Sequence, residues 1–104
     1  MKLSIAIIRG CVLRPKQERD ALFGLNSSDA LGAAYEGKWG RITESEDKLF
    51  RTKTWTGYAE YYNRLCNNFM ALKVEGRELM YEILTLNSTQ TREEIAKILA
   101  DRGL

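Results

Sequence analysis

The chain has 104 residues, 44% of them hydrophobic, with one proline and a formal net charge of +2. That length suits one domain around one core, and the apolar content is enough to offset the entropy of ordering the chain. The near-balanced charge argues against a strongly electropositive duplex-binding domain, and the lack of histidine excludes Ser-His and Cys-His dyads and histidine-ligated zinc.

The small excess of positive charge is local. Lys2, Arg9, Arg14, Lys16 and Arg19 face only Glu18 and Asp20 within residues 1–24, whereas eleven basic and twelve acidic residues follow. Two cysteines, Cys11 and Cys66, are expected as free thiols in a reducing cytoplasm, because the apolar run from Leu3 to Ile8 is short, is closed by Arg9 and does not read as a secretory leader. No run approaches membrane-spanning length, so no membrane partner is expected.

In chain order, "KLSIAIIRG" is short and rich in isoleucine, which predicts a buried strand ended by Gly10. "PKQERDALFGL" places Pro15 at a first helical position and predicts a short helix over 15–23. "NSSDALGAAYEGKWG" predicts a second helix, capped by Ser27 or Ser28, with Asp29 near its positive end and Leu31, Ala34 and Tyr35 on one face. Its run from Gly32 to Ala34 allows another backbone to approach closely. In "GRITESEDKLFRTKTW", Thr43 and Glu46 have capping-box spacing, but the β-branched and aromatic content of 49–56 favours a hairpin.

From Gly57 onward, Tyr58, Tyr62, Leu65, Phe69 and Leu72 recur at helical spacing. Two helices, over 57–73 and 77–87 with a break at "VEGRE", are preferred to a hairpin turning there. A last helix over 92–101 follows, with Thr91 or Thr89 as its cap, Glu93 and Glu94 in its first turn, an apolar face of Ile95, Ile98 and Leu99, and Gly103 as its stop. The expected architecture is a small single α+β domain: an N-terminal strand, with or without a hairpin near 39–56, packed against a mainly helical C-terminal half.

The chemically richest stretch is "KLFRTKTWTGYAEYYNRLCNN". Eight of the ten aromatic residues lie between Tyr35 and Phe69, here interleaved with Lys48, Arg51, Lys53 and Arg64. On a helix over 57–73, Tyr61 falls on the shoulder beside Arg64 and Asn68, so Arg51, Lys53, Tyr61, Arg64 and Asn68 are the expected partner-binding residues. Glu44, Glu46 and Asp47 lack the glycine-punctuated loop of a cation site and read as a solvated turn or helix start. Cys66 reads as a small buried hydrophobe, and Cys11 is the better candidate for a reactive thiol.

"RELMYEILTLNSTQTREEIAKILADRGL" resembles the first two helices of helix-turn-helix and winged-helix domains over its 28 residues. The resemblance implies a following recognition helix, but the sequence stops at Leu104, and from Leu79 it carries four acids against three bases. The segment is therefore read as a structural helical hairpin. The functional expectation is a non-catalytic protein-binding module, an adaptor or small inhibitor, needing no cofactor or metal. The alternative is a nucleic-acid-binding protein or helix-turn-helix-like transcription regulator, and an enzyme using Cys11 or carboxylates ranks last.

Overall fold

A computed structural model describes residues 1–19, 21–51 and 55–104, with the side chains of 49–58 outside the description. Helix α1 (Leu3–Leu13) leads to a pair of two-residue parallel strands, β1 (Lys16–Gln17) and β2 (Ser27–Ser28), which pair Lys16 with Ser27 and Gln17 with Ser28. Helices α2 (Ala30–Trp39), α3 (Glu44–Arg51), α4 (Trp55–Asn68), α5 (Met70–Asn87) and α6 (Arg92–Asp101) follow. The result is a small, mostly helical α+β domain with one hydrophobic cluster among the described residues.

The strand component is not where periodicity predicts it. Residues 3–9 are helical, and the physical reason is that α1 packs through Leu3, Ala6, Ile7 and Gly10 while Ile5, Ile8 and Val12 stay exposed on its other side. An apolar residue on nearly every face hides the period that would mark a helix. Pro15 does not start a helix either. It follows Arg14, whose extended backbone (φ −133°, ψ 98°) is what a residue before proline adopts, and the chain continues into β1.

Helix α2 is the centre of the fold, with every residue from Ala30 to Glu36 buried. Asp29, rather than either serine, caps it by accepting a hydrogen bond from the Gly32 N–H at 2.7 Å. The expected close approach occurs between α1 and α2, where a side chain on Gly10 would overlap the Ala33 carbonyl and one on Gly37 would overlap the Ala6 carbonyl. Two Ala-x-x-x-Gly steps, Ala6 to Gly10 and Ala33 to Gly37, thus lie against each other in opposite directions.

Residues 44–51 form α3 instead of a hairpin strand, because the Thr43–Glu46 capping box is made: Thr43 N–H donates to Glu46 Oε1 at 3.1 Å and Glu46 N–H to Thr43 Oγ1 at 3.2 Å. The stripe that starts at Gly57 is broken twice. Helix α4 stops at Asn68, where Phe69 is extended (φ −116°, ψ 116°), and α5 bends at Gly76, whose φ of +59° and ψ of −135° suit glycine alone. Helix α6 spans Arg92–Asp101 with a complete Thr91–Glu94 capping box, in agreement with its signals.

Candidate protein-binding surface

Tyr61 is fully buried, which overturns its expected place on a surface patch. Its ring stacks on Tyr35 at 5.3 Å between centroids and meets Tyr62 edge-on at 5.5 Å. The inward stripe of α4 runs through Tyr61 and Leu65, and Tyr62 is only half-buried. The phase had to be chosen between two adjacent tyrosines, and carrying the count through Phe69 and Leu72 crossed the break at Asn68 that begins a new helix.

Arg64 and Asn68 are on the surface but serve the fold. Arg64 donates from Nε to Glu60 Oε1 at 3.1 Å and from Nη1 to the Tyr35 hydroxyl at 2.9 Å, and lies 3.5 Å from Glu46 Oε2. Tyr35 in turn donates to Glu46 Oε2 at 2.6 Å. Burial opposes ionisation of Glu46, but hydrogen bonds from Tyr35 and Thr43 hold its carboxyl below the usual range. This chain of contacts ties α4 to α2 and α3. Asn68 donates to the Arg64 carbonyl at 2.8 Å and so closes the last turn of α4. The Arg51 side chain and Lys53 lie outside the described residues.

A second polar cluster joins α1, the strands and α6. Arg14 pairs with buried Glu36 at 2.6 Å and 3.0 Å and donates to the Gly24 carbonyl at 2.6 Å. Arg92, itself buried, donates to the carbonyls of Arg14 at 2.6 Å and Pro15 at 2.8 Å and to Ser28 Oγ at 2.9 Å. Asn87 bridges Gln17, Glu18 and the N–H of Ala30. These residues hold residues 14–19 and 21–29 against α2, α5 and α6, because a buried polar backbone needs partners.

The two thiols are free. Burial pushes Cys11 up to about 11 and Cys66 upward as well, which lowers the thiolate fraction of both near neutral pH. Among the described residues no cluster of His, Cys, Asp or Glu could hold a metal ion, and no helix is long and apolar enough to cross a membrane.

The surface with the chemistry of an interface lies between α4 and the part of α5 beyond Gly76. Ala59, Tyr62, Asn63 and Cys66 come from α4, and Arg77, Met80, Tyr81 and Leu84 from α5, each set at spacings of i, i+3, i+4 and i+7. Together they line an open groove of about 540 Å³. Tyr81 is 62% exposed on its wall, Tyr62, Cys66, Met80 and Leu84 are half-buried, and Arg77 and Asn63 supply polar edges. Tyr81 and Arg77 were not among the sequence-predicted site residues. Their signal was the polar-sided stripe of α5, which reads as solvated surface until α4 is placed beside it.

The helical hairpin of α5 and α6 turns Arg92, Ile95, Ala96 and Leu99 inward. The outer face of α6 presents Glu93, Glu94, Lys97 and Asp101, an acidic balance poorly suited to phosphates. Comparison with protein-family models, curated proteins and solved structures found no match for this chain.

Proposed function

We propose that the chain is a non-catalytic protein-binding module, an adaptor or small inhibitor, that receives an amphipathic helix of a larger protein in the α4–α5 groove. The observation that carries this reading is the groove itself, an open trough between two helices walled by Tyr62, Met80, Tyr81 and Leu84 with Arg77 at its edge. Tyrosine, methionine and arginine are enriched where proteins meet, methionine adapts its shape to varied partners, and a trough between helices suits a third helix laid along it. The expected aromatic and arginine patch is thereby kept in kind but assigned to Tyr62, Tyr81 and Arg77.

Other features support a binding role over catalysis. Histidine is missing from the sequence, Asp29, Glu36 and Glu46 are engaged in capping or ion pairs, and burial pushes both thiols above their ordinary range. Two free thiols suit a reducing cytoplasm.

Comparing proteins captured from a lysate by the wild-type chain and by a Tyr81→Glu/Arg77→Glu variant tests the reading. Both positions are exposed, so thermal stability should be nearly unchanged. The proposal expects a partner enriched about tenfold or more on the wild type over the variant, the effect of losing a central aromatic anchor. Equal capture by both, or capture of nucleic acid alone with a steep loss as salt rises, would overturn it.

A further inference from the structure

We infer that the chain pairs with a second copy of itself, about a two-fold axis, through the face formed by α1 and α6. This surface is separate from the α4–α5 groove and the inference does not depend on it.

Helix α1 is apolar on two sides. One side is buried against α2, and the other leaves Ile5 46%, Ile8 45% and Val12 79% exposed as one stripe at spacings of three and four. A helix that is hydrophobic all round is normally covered on all sides. Directly beside this ridge runs a shallow groove of about 490 Å³ between α1 and α6. Its floor is made by Ser4 and Ala96, both nearly inaccessible, and its far wall by Glu93, Lys97 and the small side chain of Ala100.

Ridge and groove on the same face are what a two-fold interface requires, since each copy must offer both the feature that inserts and the feature that receives. The small floor residues permit close approach of a helix, as Gly10 and Gly37 do between α1 and α2. Charge is arranged in the same self-complementary way. Arg9 stands on the ridge side and Glu93 on the far wall, and neither makes an ion pair among the described residues. In the pair inferred here each ridge sits in the other copy's groove, and Arg9 of each copy meets Glu93 of the other. Helices of 11 and 10 residues, each about 15 Å long and about 10 Å apart, present a face of a few hundred Å². That is enough for the apolar centre of an interface that covers about 800 Å² per copy with its polar rim.

Sedimentation of the purified chain over a wide concentration range reads the outcome. The expected mass is twice the 11.9 kDa of one chain, falling to one chain for Ile8→Glu. Arg9→Glu should weaken the pair about tenfold or more, and adding Glu93→Arg to it should restore the wild-type mass, because reversing both charges recreates the contact only if these two residues meet. Arg9 and Glu93 are both exposed, so the charge pair decides the matter even if Ile8→Glu unfolds. A single-chain mass at every concentration, a dimer that Arg9→Glu leaves unchanged, or one that Arg9→Glu weakens and added Glu93→Arg does not restore, would overturn the proposal.

Discussion

Arg14 and Glu36 meet across 22 positions of sequence, with side chains 7% and 0% exposed. Nothing local marks either as buried, since a charged residue in a polar neighbourhood is ordinarily solvated, and their pairing becomes visible only when α1 is laid on α2. Arg92 is similar: it opens an amphipathic helix where an exposed cation is expected, yet it is 1% exposed and donates to two carbonyls of the 14–15 bend. Tyr61 failed for a different reason, the ambiguity between two adjacent tyrosines. Asp29 gives the sharpest prediction at this scale. Burial pushes its carboxyl up to about 7, against the opposing effect of hydrogen bonds from Gly32 and Leu31. Between about pH 4, where the unfolded chain loses this proton, and about pH 7 only the folded chain keeps it, so Asp29 contributes stability at low pH that is lost as pH rises through that window. Asn caps helices as well as Asp, so Asp29→Asn should raise stability at about pH 8 by on the order of 4 kcal/mol and flatten the dependence below it. Thermal melts across that range check this, and identical pH profiles for the two proteins would contradict the assignment.

At the scale of elements, legibility followed the capping signals more closely than the hydrophobic pattern. The capping box and first-turn acids of α6 announced both its start and its type, and the Thr43–Glu46 box of α3 was equally present but was outweighed by β-branched residues beyond it. The break at "VEGRE" fell at Gly76, while the break at Phe69 carries no glycine or proline and had no signal. Helix α1 was misread because its second apolar face erased the period, and that face is the one inferred to meet a second copy. The joint between α1 and α2 depends on missing side chains at Gly10 and Gly37. Gly10→Ala should therefore destabilise the protein by at least about 2 kcal/mol, although alanine alone would favour the helix by about 1 kcal/mol. Denaturant unfolding measures the difference, and a neutral or stabilising effect would mean that α1 does not lie on α2 at this distance.

Across the whole molecule, the helical C-terminal half followed from periodicity and caps, whereas the α+β class is met by strands other than those expected, since residues 3–9 and 44–51 are helical and the sheet pairs Lys16–Gln17 with Ser27–Ser28. The contents of the surface did not follow either, because a groove is a relation between two helices and each stripe alone reads as half-buried helix. Among the described residues, one core joins α1, α4, α5 and α6 around α2, a polar cluster of Arg14, Glu36, Asn87 and Arg92 fixes residues 14–19 and 21–29, and the surface keeps grooves that combine apolar side chains with charged edges. A photo-crosslinking amino acid placed at position 81 in the expressed chain tests the α4–α5 groove as a binding site most directly, with the same group at exposed position 48 as the control. A discrete adduct with another protein from position 81, absent from position 48 and lost with Arg77→Glu, is the result predicted here. Adducts with nucleic acid, equal adducts from both positions, or none from position 81 would contradict it.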